Sequence, residues 1–173
     1  MRRPKKIVIT GPESTGKSTL CEQLAARYQT SWVPEYAREY LLQLERPYTY
    51  EDLLLIAKGQ LDQEDRLLAS GTGPIIFIDT DMYVMKVWCE FVFGKCHAFI
   101  LDEIVKRTYD GYLLCNVDLP WVADELREYP DLESREQLYH MYKDLLINQH
   151  VPWFDVQGNY TERLENAIQF VDR

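Results

Sequence analysis

The sequence predicts a three-layer α/β fold, a parallel five-stranded sheet with helices on both faces, organised as one domain over residues 1–173. Three observations carry this reading. Short apolar runs alternate with longer segments of helical spacing along the chain. The apolar runs are continuous, as in strands buried on both faces, and no linker or internal repeat breaks the order. A chain of 173 residues with 46% apolar and 27% charged residues can bury a real core, which excludes disordered and low-complexity classes.

The elements follow in order. "KKIVIT" at 5–10 is a first strand, and from Lys17 the positions Leu20, Cys21, Leu24, Ala25 and Tyr28 recur at helical spacing. "TSWVP" at 30–34 is a short second strand. Helices over 35–45 and 50–70 are stopped by Arg46-Pro47 and by Gly71. "GPIIFIDT" at 73–80 is a third strand, 81–94 and 98–108 read as helices, and "GYLLCNV" at 111–117 is a fourth strand. After Pro120, "WVADELREY" predicts a short helix, and 133–149 carries Leu138, Met141, Leu145 and Leu146 on one face. "PWFDV" at 152–156 and a helix over 160–172 close the chain. Ligands of such a sheet bind outside the carboxyl ends of its strands.

Charge and composition narrow the partners. A net charge of −9 disfavours polynucleotide, and the basic cluster Arg2, Arg3, Lys5, Lys6 is short. Cys21, Cys89, Cys96 and Cys115 form no Cys-x-x-Cys pair, and no signal-like or membrane-spanning apolar run occurs, so a soluble cytoplasmic protein is expected, away from membrane and nucleic acid. His97, His140 and His150 lack metal-ligand spacing. Oligomeric state is not readable.

"GPESTGKST" at 11–19, between strand and helix, is a phosphate-binding loop. Gly11 and Gly16 let backbone N–H groups approach phosphate, and Glu13, Ser14, Thr15 and Thr19 complete the nucleotide-binding stretch. Lys17 supplies charge for the β- and γ-phosphates of ATP, and Ser18 supplies a hydroxyl for Mg2+. Asp79, ending "IIFID", brings a carboxylate to the same edge to hold the metal. Asp81 has two readings, a catalytic or substrate role and an N-cap of the next helix. Glu35 follows the second strand and can accept a proton from an attacking hydroxyl; Arg38, one turn on, either contacts phosphate or makes a surface ion pair with it. Arg127 and Arg135 flank a polar connection after the fourth strand where a lid could carry them over the transferring phosphate, or they are solvated arginines. Trp32, Tyr36, Tyr83, Trp88 and Trp121 offer flat surfaces for stacking, or fill the core.

"GPESTGKSTL", "WVPEYARE", "FIDTD" and "DLPWVADELR", in this order and spacing over nearly the whole chain, resemble the nicotinamide riboside kinase domain of NadR-type proteins. The resemblance implies a P-loop NTPase fold with a lid after the fourth strand, and transfer of the γ-phosphoryl of ATP to the 5′-hydroxyl of nicotinamide riboside. It places Lys17 and Ser18 on triphosphate and magnesium, Glu35 and Arg38 at the riboside with Asp79 and Asp81 in the metal and substrate cluster, and Arg127 on the lid. Catalytic roles are thus expected of Lys17, Glu35, Asp81 and Arg127, and acceptor contacts of Trp32, Glu35, Tyr36, Arg38, Asp81 and Trp121. NadR-type proteins also carry an adenylyltransferase domain and sometimes a DNA-binding region; with the first strand at Lys5, both are expected to be absent. A nucleotide-hydrolysing switch is the main competitor, but "NVDL" at 116–119 does not match Asn-Lys-x-Asp. A nucleotide sensor without turnover and a kinase of another nucleoside or monophosphate are the others.

Overall fold

The computed structural model describes residues 3–71 and 73–173. Strand β1 (Lys5–Thr10) takes the centre of the sheet because both of its faces are apolar: Ile7 and Ile9 point into one core, Val8 into the other. Helix α1 (Lys17–Tyr28) follows, then β2 (Trp32–Val33), α2 (Tyr36–Leu42) and α3 (Tyr50–Ala69). Next come β3 (Ile75–Asp79), α4 (Met82–Phe93), α5 (Ala98–Lys106) and β4 (Gly111–Cys115). Helix α6 (Leu132–Ile147), β5 (Trp153–Val156) and α7 (Tyr160–Val171) complete the chain. All strand pairs are parallel, in the order β2-β3-β1-β4-β5, so the five-stranded sheet predicted from the apolar runs is formed.

Helices α1 and α7 cover one face, where Leu20, Leu24 and Ala167 meet Ile9, Phe77 and Leu113. Helices α4 and α6 cover the other, where Val84, Leu138 and Tyr142 meet Val8, Ile78 and Leu114. A third cluster packs α2, α3, α4 and α5 together beside the β2 edge. Within it the Tyr36 ring lies flat on α3 at Gly59, where even a Cβ would fall 2.1 Å from the ring.

The short helix predicted after Pro120 does not form; residues 121–130 hold only a turn. Its polar groups bond elsewhere: Asp124 caps the turn through Leu126 N at 3.1 Å, and its neighbours bond to the phosphate-loop side chains. Two residues of the basic cluster at the start, Arg3 and Lys6, pair with carboxylates within the fold. Arg3 clasps Asp110, Lys5 donates to Val171 O and Lys6 pairs with Glu64 at 3.0 Å; Arg2 lies outside the described residues. All four cysteines are free thiols. No helix of the described residues is long and apolar enough to cross a membrane.

Candidate active site

The loop after β1 is built for close backbone approach. Gly11 adopts φ 135°, and a Cβ there would sit 2.7 Å from the carbonyl oxygen of Cys115 on β4, so only glycine fits. Gly16 caps α1 in the left-handed region at φ 79°, and the first turn of α1 carries no acidic residue, leaving its positive end for an anion. The back of the loop is pinned: Thr15 Oγ1 donates to Pro12 O at 2.7 Å, and the buried Arg163 of α7 donates to Thr15 O at 2.8 Å. Lys17 lies across the front, donating to Pro12 O at 2.8 Å.

Two carboxylates flank this lysine. Asp79, buried at the end of β3, accepts from Ser18 Oγ at 2.5 Å. Glu35 sits between β2 and α2, and the buried Gln60 of α3 fixes both positions through Tyr36 N at 2.8 Å, Pro34 O at 3.2 Å and Asp79 O at 3.2 Å. Burial and then the Asp79 carboxylate push the Glu35 carboxyl above its usual range, against the pull of Lys17 and Arg38. Burial likewise raises Asp79, opposed by Lys17 and the Ser18 hydroxyl. The Ser18 and Asp79 oxygens form an all-oxygen pair of the donor type that Mg2+ prefers. Among the described residues, no group of three or more His, Cys, Asp or Glu side chains gathers to hold a metal by itself.

Asp81 is not part of the cavity lining. Its carboxylate caps α4 through Tyr83 N at 3.1 Å and Val84 N at 3.4 Å, and burial pushes it up to about 7. Its unfolded value is about 4, so between pH 4 and 7 the fold holds a proton that the unfolded chain has released. Stability therefore falls as pH rises through that window. Asp81→Asn keeps the cap and is expected to flatten this loss, on the order of 2–3 kcal/mol, in denaturant melts at pH 5 and pH 8. Parallel losses in both proteins would count against this assignment.

The segment 116–131 arches over the loop. Ser14 Oγ accepts from Val122 N at 2.9 Å, and Glu13 accepts from Glu128 N at 3.0 Å and from Tyr129 N. Arg38 clasps Asp124 with both terminal nitrogens, at 3.2 and 3.0 Å, rather than pairing with Glu35. Arg127 donates to Val122 O. Arg135 is buried, donates to Ser14 O and Leu119 O at 3.3 Å each, and leaves its Nε without a partner among the described residues.

Under this arch lies a cavity of about 240 Å³, lined by residues 11–19, Glu35, Arg38 and Arg127. Its apolar wall is aromatic: Tyr48, Trp88, Phe91, Tyr129 and Tyr142. Trp88 Nε1 donates to Tyr48 OH at 3.1 Å, and that hydroxyl donates to Glu128 at 2.9 Å. Of the sequence-predicted acceptor contacts, the structure brings Glu35 and Arg38 into the lining. Trp32 packs on the α1 core, Tyr36 on Gly59, and the indole nitrogen of Trp121 is buried without a partner among the described residues. Tyr48, Phe91, Glu128, Tyr129, Tyr142, Gln60 and Arg163 were not singled out from the sequence. For Phe91 a signal existed: Val84, Trp88 and Phe91 share one face of α4 at helical spacing.

The model of the AAA domain family matches residues 6–163. The trifunctional NAD biosynthesis/regulator protein NadR of Escherichia coli K12 is 28% identical over 172 residues, covering 96% of this chain. The chain spans 42% of that protein's length. A crystal structure of NadR protein in complex with NR matches with a TM-score of 0.81 at 24% identity, over 98% of this chain and 49% of that one. NadR protein in complex with NAD and AMP-PNP matches at 0.71 with 23% identity and the same coverage. Thymidylate kinase from Ehrlichia chaffeensis matches at 0.69 with 14% identity, over 98% of this chain and all of that one. The fold is therefore that of the P-loop kinases, as the sequence predicts.

Proposed function

The chain belongs to the AAA domain family, and on that premise we propose that it is an ATP-dependent kinase acting on the 5′-hydroxyl of a ribosyl nucleoside, nicotinamide riboside, to give nicotinamide mononucleotide for NAD synthesis. The observation that carries this reading is one cavity shared by the phosphate loop and by Glu35, with an aromatic wall between them and the arch. The likeness to NadR over 96% of the chain, and the NR and AMP-PNP held by NadR crystals, support the choice of acceptor and donor.

The loop N–H groups, the α1 N-terminus and Lys17 hold the triphosphate. Ser18 and Asp79 would hold Mg2+, which neutralises phosphate charge when bound. Glu35 takes the proton of the attacking hydroxyl, and the guanidinium groups of Arg38 and Arg127 offset charge on the transferring group. Tyr48 and Trp88, with the Glu128 carboxyl behind them, suit a flat cationic ring. One sheet carries every strand, and Arg163 of α7 bonds to the loop that follows β1, which fits a single kinase domain over 1–173. Four free cysteines suit a cytoplasmic location.

ADP release with ATP and Mg2+, with and without nicotinamide riboside, tests the reading. Release that depends on the riboside, with a product one phosphoryl group heavier by mass, is the expected result. Release indifferent to it would make the protein a hydrolase, and none with any nucleoside would leave a sensor.

A further inference from the structure

We propose, on the kinase reading above, that Tyr142 sets acceptor specificity by reading a secondary hydroxyl of the ribosyl ring, so that the site takes ribosyl over deoxyribosyl acceptors. Tyr142 stands on α6, one turn beyond Leu138, and both line the cavity. The residue is 5% exposed, its ring packed in the core cluster of Val8, Val33 and Val84. A phenylalanine would fill that core equally well, so packing does not explain the hydroxyl. Burial and the neighbouring Glu35, Asp81 and Glu13 carboxylates hold the phenol well above its ordinary range, so it keeps its proton and remains a donor. It makes no hydrogen bond to any of these carboxylates.

The residue is buried and lines the cavity, while its hydroxyl is not among the enclosed unpartnered atoms and has no hydrogen-bond partner among the described residues, so the cavity is where it can meet a ligand. The chemistry of its surroundings selects the ligand. Glu35 can only accept once ionised, whereas an alcohol both donates and accepts. A secondary hydroxyl of a riboside that donates to a carboxylate has a lone pair left over, and the phenol of Tyr142 supplies the proton for it. An acceptor lacking that hydroxyl leaves phenol and carboxylate both without their ligand partner, which is how a polar pocket rejects a deoxy analogue.

The test compares kcat and KM of the wild type and Tyr142→Phe, at saturating ATP, with nicotinamide riboside and its 2′-deoxy and 3′-deoxy counterparts. The wild type is expected to lose about tenfold in kcat/KM with one of the two deoxy compounds, the factor that one hydrogen bond supplies. Tyr142→Phe should lose about the same with the riboside, mostly in KM, and lose nothing further with that deoxy compound. Equal kcat/KM for variant and wild type on the riboside, or one uniform loss on all three acceptors, overturns the specificity role and leaves the kinase standing. A wild type with no acceptor-dependent turnover overturns the kinase reading and this one together. Should the variant lose its cooperative melt, the wild type decides alone: no discrimination between the riboside and either deoxy compound refutes the proposal.

Discussion

Lys17→Ala is expected to lower acceptor-dependent turnover by about a thousandfold, the scale on which a single charge at a transferring phosphoryl group acts. The side chain lies across the mouth of the loop on Pro12 O and pulls on both the Asp79 and the Glu35 carboxyls. Removing it therefore takes away phosphate charge and lets two acids of like sign face each other. Both carboxyls should titrate still higher in the variant, so the residual activity should need a more alkaline medium. The fold should tolerate the change, since Lys17 contributes nothing to the three core clusters. Melting within about 3 °C of the wild type, together with lost turnover, is the expected pair of readings. Unchanged turnover would remove the loop from the chemistry altogether.

Glu35→Gln should cut kcat by about a hundredfold or more while leaving the KM for ATP near its wild-type value, because the proposed function gives this lining residue the acceptor side. The sign of its pH dependence follows from its surroundings. A base works only when ionised, and burial with the Asp79 charge holds this carboxyl above its ordinary range. The wild-type rate should rise with pH through that raised value, and the acid limb should vanish from the glutamine variant. Weaker ATP binding with normal turnover would assign Glu35 to the donor side.

Most of this fold was legible as runs and spacings. "KKIVIT" and "IIFID" announce buried parallel strands, and the glycines at 11 and 16 announce a loop that backbone or phosphate must approach. The donor half needed no tertiary information, since its residues are contiguous. The apolar wall was harder to see. Tyr142 carries the same helical signal as Leu138 and Leu146, and the pattern reports burial without saying which buried face borders a cavity. Gln60 and Arg163 were invisible for a related reason: each acts on backbone atoms far along the chain. "WVADELREY" misled because its helical propensity is weaker than the bonds that Glu13, Ser14 and Arg38 make with it.

Arg163 also orders events during synthesis. The phosphate loop is made well before its back wall, a guanidinium 148 positions beyond Thr15 that grips Thr15 O, Asn116 O and Gly158 O at once. Strand β1 waits as well, because its neighbours β3 and β4 lie about 70 and 100 residues downstream. A nascent chain stalled before residue 163 therefore carries the whole motif without a finished loop. A chain cut before α7 is therefore expected to bind ATP more weakly than the intact one, which equilibrium binding to the two would check.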